Sequence, residues 1–396
     1  MSSIIYHIEL AKTGSVAASG WETSMLELIQ FLITQKEKNC IVTTQKWKQA
    51  FLDWWLKEGE FLSFQTIQTE DPSSRIKLFF NYIKRIFLAK RLLKNIQLFD
   101  NDIIICHSDF LPNSLPTYWF SRKNLKAKIF YYFHMRYPSI FKWYEGEFIG
   151  KYHFPNIFLI YSKLNQWIYL RLIKKINRWI IVVVNSCYQD FLEKYFKNSD
   201  IYLYVLKVFG WPQCLLWLSN NDKKYDAVWL WRFQKPKWLD EIFDIVQKIK
   251  KQKPDFLLVV IGGRDSKEEK KFCEKIKKYE LQTNILYQWV ISGRKKFEIL
   301  SQSKVFLMTS YFESYGLVNL EAMKYWVPVV AYNLPTFHVF AKWMIKVPIL
   351  DNQKFSEEVI KMLTDELIYE KYSKEALDFS SRYSWKNTGK EIYQLL

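Results

Sequence analysis

Short apolar runs recur along this chain, and each is followed by a polar or glycine-containing turn and then by apolar residues at helical spacing. In the first half the runs are Ile4–Ile8, Cys40–Thr43, Asp102–Cys106, Ile129–Phe133 and Ile180–Val184. In the second half they are Ala227–Leu230, Phe256–Ile261, Asn284–Tyr287, Val305–Met308 and Val327–Ala331. Apolar strands alternating with helices are typical of parallel sheets covered on both faces. The pattern therefore predicts an α/β protein.

Two such series predict two doubly wound, Rossmann-like domains, as a length of 396 residues also favours. We place the first domain at 1–207, a linker at 208–224 and the second domain at 225–396, whose last helix could pack back on the first domain. Ligands bind beyond the carboxyl ends of the strands in open α/β sheets. Two facing sheets would line a cleft with the residues at those ends: Gly14, His107, His134, Asn185, Ser186, Arg232, Gly262, Gly263 and Ser310 to Glu313.

The stretch SYFESYGLVNLEAM, at 310–323, carries the most chemistry. A buried strand leads into a loop with Glu313, then Gly316, then a helix that contains Glu321. The free N–H groups at the start of a helix can bind phosphate, and a glycine there permits close approach. The two carboxylates are placed to accept hydrogen bonds from sugar hydroxyls. An isolated pair of glutamates, however, more often belongs to a solvated surface helix.

The turn RFQKPK, after the first strand of the second domain, adds Arg232 and Lys237. Two cations at the carboxyl end of a strand can neutralise a diphosphate. The signal is weak by itself, because the chain has 58 Lys and Arg against 40 Asp and Glu. The resulting net charge of +18 favours an anionic partner, which can be a nucleotide, a nucleic acid or an anionic membrane surface.

Cysteines and leader signals point to the reducing cytosol. The five cysteines are widely spaced and form no CxxC pair, which argues against a disulfide framework and a zinc site. The N-terminus lacks the basic and apolar regions of a signal peptide. No uninterrupted apolar run approaches the roughly 20 residues that span a bilayer. We therefore expect a soluble, cytoplasmic protein.

Together these residues resemble the donor-binding half of the GT-B glycosyltransferases, specifically the large retaining family 4. That family shows a GR-x4-KG turn after the first strand, a later IGG or GxG turn, and an element reading like ESFGLVxLEAMAxGxPVVA. This chain has WRFQKPKW, VIGGRD and ESYGLVNLEAMKYWVPVVA. The resemblance extends to YSW at 383–385 and is looser in the first half, in TGSVAASGWETSMLEL, IFYYFHM and VVVNSCYQDFLEKY.

The resemblance implies a GT-B fold, with two Rossmann-like domains facing across a cleft, and a retaining glycosyltransferase. Such an enzyme moves a hexose from a nucleotide diphosphate sugar to a hydroxyl of a glycan or lipid-linked glycan. No DxD motif stands out, so neither a metal nor another cofactor is expected. No Asp or Glu is convincingly placed as the general base that inversion would need.

Residue by residue, the resemblance implies that Arg232 and Lys237 bind the donor diphosphate, while Glu321 holds the nucleotide ribose. Glu313 would hold the donor sugar, together with backbone N–H groups near the start of the helix. The resemblance also places His134 on the opposite wall of the cleft and Gly14 and Ser15 in the loop after the first strand. Gly262 belongs to the later glycine turn, and Gly316 and Leu317 lie at the start of the helix.

The histidines have a structural alternative. A histidine at a strand end is often a satisfied core residue, and this alternative stays open for His134. The remaining four histidines are interpreted as structural: His7, His107, His153 and His338.

The chain has 17 tryptophans and only 11 glycines. Several tryptophans stand where the family has glycine or where a turn is expected: Trp21, Trp231, Trp238, Trp289 and Trp326. Many of the tryptophans could be encoded by UGA codons, which the source organism would translate as glycine and which are translated as tryptophan in this sequence. Reading about 15 of them so would bring glycine near its usual ~7%. On this hypothesis, glycine at these five positions gives a more stable and more active protein. The alternative is that they are genuine core or ligand-stacking aromatics.

The segment RIKLFFNYIKRIFLAKRLLKNIQLF, at 75–99, is basic, with apolar residues near helical spacing. It predicts either an interfacial helix on anionic lipid, giving peripheral contact with the inner face of the membrane, or a core helix with a solvated basic face.

Two other functions remain open. One is a sugar-nucleotide epimerase or hydrolase on the same fold, for which no extra acid or base is identifiable. The other is a nucleic-acid-binding protein, which only the charge suggests, since no known nucleic-acid module is present.

Overall fold

The computed structural model describes residues 3–11, 20–54, 56–70, 75–137, 157–175, 179–207, 210, 223–230, 239–263, 266–291, 293–340 and 343–396. These residues divide into two compact units. The first holds the described residues up to 137, those from 157 to 210, and 384–396, and the second holds 223–383.

The described part of the first unit is a sheet of seven parallel strands in the order β3-β2-β1-β4-β5-β6-β7. The strands are β1 (Ile4–Ile8), β2 (Lys38–Thr44), β3 (Leu62–Ile67), β4 (Ile103–Cys106), β5 (Lys128–Phe133), β6 (Trp179–Val183) and β7 (Tyr202–Val205). The helices are α1 (Gly20–Thr34), α2 (Gln45–Trp54), α3 (Arg75–Lys94), α4 (Leu111–Ser121), α5 (Ile157–Lys174) and α6 (Gln189–Tyr195).

The second unit, as far as it is described, has six parallel strands in the order β10-β9-β8-β11-β12-β13. The strands are β8 (Tyr225–Leu230), β9 (Leu258–Ile261), β10 (Ile285–Gln288), β11 (Ser303–Met308), β12 (Val329–Tyr332) and β13 (Ile345–Val347). The helices are α7 (Leu239–Gln252), α8 (Ser266–Lys278), α9 (Gly293–Ser301), α10 (Leu317–Met323), α11 (Asn352–Thr364) and α12 (Glu366–Ser381), and α13 (Trp385–Tyr393) follows.

Central strands of both sheets are buried on both faces, as their unbroken apolar runs require. In each unit one face of the sheet and the helices that cover it form a large core cluster, and in the first unit α1 and α2 form a smaller cluster with β2 and β3. The predicted fold class, α/β with two doubly wound parallel-sheet domains, is confirmed. The predicted linker, 208–224, lies largely outside the described residues.

All ten predicted strands are present, with ends shifted by at most two residues, and three further strands were not predicted. These three are β3, β7 and β13, and each lies at the edge of its sheet. Their residues are mostly half-exposed, so polar side chains interrupt the apolar run by which the other strands were recognised. An edge strand lacks one neighbour and therefore needs less apolar surface.

The C-terminal helix α13 is part of the first unit, where it packs against α1. The Glu391 carboxylate accepts hydrogen bonds from the Tyr204 hydroxyl and the Lys207 backbone N–H, both at 2.8 Å. The Trp385 indole lies on Gly210, where a Cβ atom would stand 2.3 Å from the ring. Only glycine leaves room for this contact.

The tryptophans fall into different environments. Trp47, Trp179 and Trp229 are almost fully buried in the cores. Glycine at these positions would leave cavities, since truncating a buried tryptophan to alanine already costs about 3–5 kcal/mol. The glycine hypothesis therefore does not fit these three positions, which leaves at most 14 of the 17 tryptophans to which it can apply.

Trp326 is different, because it adopts the left-handed conformation with φ +62°. The N–H of Val327 bonds to the carbonyl of Ala322, and the N–H of Trp326 bonds to that of Met323. This pair of bonds is the Schellman motif, whose left-handed residue is usually glycine. Among the described members of the five suspected positions, Trp326 alone has a positive φ, so the backbone favours glycine here and gives no such reason at Trp289.

We expect Trp326→Gly to raise stability by about 1 kcal/mol, because glycine adopts this conformation without the steric cost of a Cβ atom. Trp326 is 46% exposed, so the loss of buried area is modest. The thermal midpoint should rise by roughly 2–4 °C.

The matched control is Trp167→Gly. Trp167 is 49% exposed and lies inside α5, where glycine costs helix stability. A lower midpoint for Trp326→Gly, as expected for the control, would contradict the conformational explanation.

Candidate functional site

The loop between β11 and α10 carries Glu313 at the carboxyl edge of the second sheet. Glu313 is 7% exposed. The start of the loop is held by two hydrogen bonds: the Trp229 indole N–H donates to Thr309 Oγ1 at 3.1 Å, and the Ser310 hydroxyl donates to the Phe312 carbonyl at 3.0 Å. Trp229 thus joins the end of β8 to this loop, a role that its sequence context did not reveal.

Gly316 forms the turn into α10 with φ +82° and ψ +50°. A Cβ atom at this position would lie 2.6 Å from Asn319 Nδ2 and 3.0 Å from a ring carbon of Phe337. Both the backbone conformation and the space therefore require glycine. Leu317 is the first residue of the helix, as the sequence predicted.

Glu321 lies on α10 and forms an ion pair with Lys296 of α9, at 2.8 Å between Oε2 and Nζ. Both side chains are largely buried. Lys296 also lies over the Phe297 ring, 4.4 Å from its centroid. The ion pair with Lys296 orients the Glu321 carboxylate. The sequence did not predict this pair, because Lys296 is one of many lysines and lies on another helix.

Gly262 and Gly263 follow β9, which pairs with β8, which in turn pairs with β11. Gly262 has φ +155°, and its carbonyl accepts a hydrogen bond from the Tyr287 hydroxyl at 3.0 Å. The ring of Trp289 lies on Gly263, 2.6 Å from where a Cβ atom would stand. The glycine turn and the Glu313 loop thus lie at the same sheet edge, beyond β9 and β11, with β8 between these strands.

Asn319 is a further polar residue that the sequence did not single out. It is fully buried beside the Gly316 turn, and neither its amide nitrogen nor its carbonyl oxygen has a hydrogen-bond partner among the described residues. In the same unit, burial raises the pKa of the Glu241 carboxyl at the start of α7.

His134 belongs to the first unit, directly after β5. Its Nε2 lies 2.9 Å from the His107 carbonyl, and this bond sets Nε2 as the protonated nitrogen. Desolvation lowers its pKa to about 4, so the ring is neutral at pH 7. In this tautomer Nδ1 is a hydrogen-bond acceptor.

His134 is the last ring in a column of four stacked aromatic side chains. The rings follow one another at centroid distances between 5.2 and 5.8 Å, in the order His7, His107, Tyr132, His134. His7 Nδ1 lies 2.9 Å from His107 Nε2, and His7 Nε2 lies 3.0 Å from Asn39 Oδ1. His7 and His107 are fully buried and satisfied, consistent with structural roles.

The remaining predicted site residues lie outside the described residues: Gly14, Ser15, Arg232 and Lys237. Within the described ranges, no group of three His, Cys, Asp or Glu side chains is arranged to hold a metal ion. The described helices also include none with the length and apolar character to cross a bilayer.

Residues 218–379 match the family model described as "Glycosyl transferases group 1". The chain is 26% identical over 179 residues to the poly(glycerol-phosphate) alpha-glucosyltransferase of Bacillus subtilis. This match covers 43% of this chain and 25% of the relative. It is 26% identical over 144 residues to the amylovoran biosynthesis glycosyltransferase AmsD of Erwinia amylovora, covering 36% of this chain and 39% of the relative. The chain thus matches well under half the length of these relatives.

Solved structures with the same fold include a sucrose-phosphate synthase from Thermosynechococcus elongatus, with a TM-score of 0.71 and 16% identity over 99% of this chain and 98% of that one. A second is the pneumococcal O-GlcNAc transferase GtfA in complex with UDP and GlcNAc, with a TM-score of 0.73 and 11% identity over 100% and 98% of the two chains. The fold is that of these GT-B glycosyltransferase structures, and residues 218–379, less than half of the chain, match the model of glycosyl transferases group 1.

The histidine column predicts a specific pH dependence of stability. Burial lowers the pKa of His7 to about 4, so its contribution to stability is complete above its unfolded pKa of ~6.5 and is lost as the pH falls towards 4. We expect His7→Gln to reduce the slope of the unfolding free energy in this range by up to about 1.4 kcal/mol per pH unit.

Denaturant titrations between pH 7 and 4.5 measure this slope. Burial raises the pKa of Glu27 and Asp109 to about 7, and these carboxyls oppose the histidine in both proteins, so they cancel in the difference between variant and parent. That difference reports His7 together with its effect on the neighbouring His107. The exposed His338→Gln is the control. Equal slopes for parent and His7→Gln would contradict the assignment.

Proposed function

We propose that the protein is a retaining, family 4 glycosyltransferase that moves a hexose from a nucleotide diphosphate sugar to a hydroxyl of a glycan or lipid-linked glycan. The observation that carries the proposal is the turn at Gly316, which sets the buried Glu313 and the oriented Glu321 on either side of a left-handed backbone. Both glutamates lie in the region that matches the glycosyltransferase family.

Each group of the site has a chemical role in this proposal. Glu321 accepts hydrogen bonds from the ribose hydroxyls through the oxygen that Lys296 leaves available. Glu313 holds hydroxyls of the donor sugar. Arg232 and Lys237 neutralise the diphosphate as it leaves, and this stabilisation of developing negative charge is the main source of rate acceleration.

The bound ligands of similar structures guide the choice of donor. The O-GlcNAc transferase structure holds UDP and GlcNAc, and a structure of HepE from Anabaena holds UDP and glucose. Two relatives are named for poly(glycerol-phosphate) glucosylation and for amylovoran biosynthesis. Uridine diphosphate hexoses and polyol-phosphate or glycan acceptors are therefore the first compounds to test.

A thermal-shift screen of nucleotide sugars tests the function, since a ligand at 100 times its Kd stabilises the bound state by roughly 2.7 kcal/mol. The best donor is then incubated with acceptors, and NMR of the product reports the anomeric configuration. Transfer with retention, unaffected by EDTA, is expected. Isomerised nucleotide sugar formed without any acceptor would instead identify an epimerase.

Arg232→Ala and Lys237→Ala should each reduce kcat by about 10²–10³, because each removes a cation that stabilises the leaving diphosphate. Initial rates of nucleoside diphosphate release measure the loss. Lys361→Ala, an exposed lysine of α11 in the same unit, is the matched control. Near-normal turnover in both site variants would show that the diphosphate binds elsewhere.

Lys296→Met should raise the donor KM by about tenfold and leave kcat nearly unchanged, because the ribose is remote from the bonds that change. Steady-state kinetics against donor concentration separate the two parameters. The control is Lys295→Met, whose side chain is exposed on the same helix. A lower kcat at unchanged KM would refute a role in holding Glu321 for the ribose.

A further inference from the structure

Helix α3 exposes apolar side chains on the face that should be polar. Its buried face holds Tyr82, Ile86, Ala89 and Leu93, which pack into the first unit. The opposite face presents four large apolar side chains, between 37% and 65% exposed: Phe79, Phe80, Ile83 and Phe87. Three aromatic rings exposed within nine residues are more than scattered surface residues explain.

Helix α5 shows the same feature. Its exposed side chains recur at positions i, i+4, i+7, i+11 and i+14, which form one stripe along a helix. The stripe begins with three apolar residues and ends with two basic ones: Ile160, Leu164, Trp167, Arg171 and Lys174. The Arg171 guanidinium lies 4.2 Å above the Trp167 ring.

The two helices meet at their N-terminal ends, so their exposed residues form one surface. The Tyr161 ring of α5 lies 6.4 Å from the rings of both Phe79 and Tyr82 of α3. Phe80 and Ile160, next to these contacts, are exposed. We call the seven exposed apolar residues of the two helices the apolar surface.

The charged residues of the two helices have one sign. Neither helix contains an Asp or a Glu. On α3, Lys77, Lys84 and Arg91 recur every seven residues and so flank the apolar face along one side. On α5, the basic residues follow the apolar ones. Exposed aromatic residues bordered by cations, with no anions, are the pattern of a protein surface that lies in the headgroup region of an anionic bilayer.

We propose that the apolar surface of α3 and α5 docks the protein on an anionic lipid bilayer, with its aromatic side chains among the acyl chains and its basic border at the lipid phosphates. A nucleic acid would use the cations but gives no reason for exposed phenylalanines on a helix. The proposal goes beyond sugar transfer, and vesicle binding requires neither donor nor acceptor, so either proposal can fail without the other.

Flotation of the full chain with vesicles tests the proposal. We expect strong binding to an equimolar mixture of phosphatidylcholine and phosphatidylglycerol, and much weaker binding to phosphatidylcholine alone. Phe80→Ser/Phe87→Ser should lower the partition coefficient at least tenfold, because two exposed rings no longer insert. Lys84→Gln/Arg91→Gln should lower it by about fivefold for each cation removed.

The matched controls lie on α12 of the second unit: Leu367→Ser, which removes an exposed apolar side chain, and Lys371→Gln/Lys374→Gln, which removes two exposed cations. Both should bind vesicles like the parent. Because all substituted side chains are exposed, circular dichroism should show folded proteins throughout.

Three results would overturn the proposal. The first is equal binding of the phenylalanine variant and the parent, which would show that the rings do not insert. The second is the absence of vesicle binding together with a dimer that the phenylalanine variant cannot form, since a second copy would then cover the surface. The third is displacement from vesicles by random duplex DNA with no effect of the phenylalanine substitutions, which would identify a general polyanion site.

Discussion

The left-handed backbone at Gly316 is the constraint on which the candidate site depends. It redirects the chain from the buried strand β11 into α10, and it places Glu313 before the turn and Glu321 one helical turn beyond it. A side chain at this position would collide with Asn319 and Phe337. The glycine is therefore needed to bring the helix start close to the sheet edge, where backbone N–H groups can face a phosphate.

Around this turn, interactions from neighbouring elements hold the carboxylates in place. Trp229 of β8 anchors the start of the loop through Thr309, and Lys296 of α9 anchors Glu321. These contacts connect residues 25 to 80 positions apart in sequence. The site is thus a property of the folded sheet edge rather than of one motif.

Much of the fold followed from the apolar runs, because central parallel strands must be apolar on both faces. The edge strands β3, β7 and β13 were not predicted, because most of their residues are partly exposed and the strands lack an unbroken apolar run. Within the site, Glu313, Gly316 and Glu321 were recognisable from their spacing and from the family they resemble. Lys296 and Asn319 were not, because no local pattern marks which lysine meets Glu321 or which asparagine is buried with no hydrogen-bond partner in the part of the chain that the structure describes. The tryptophans divide on similar grounds: backbone conformation sets Trp326 apart, whereas burial shows that Trp47, Trp179 and Trp229 fill the cores.

Binding of a nucleotide diphosphate at the Gly316 turn can be measured most directly by hydrogen-exchange mass spectrometry with and without the ligand. Slower exchange is predicted in peptides that cover 309–323 and 231–238, because bound phosphates would accept hydrogen bonds from these backbone N–H groups. The basic helix at 75–94 should exchange at an unchanged rate. Protection confined to that helix, with none at 309–323, would contradict a donor site built on Gly316.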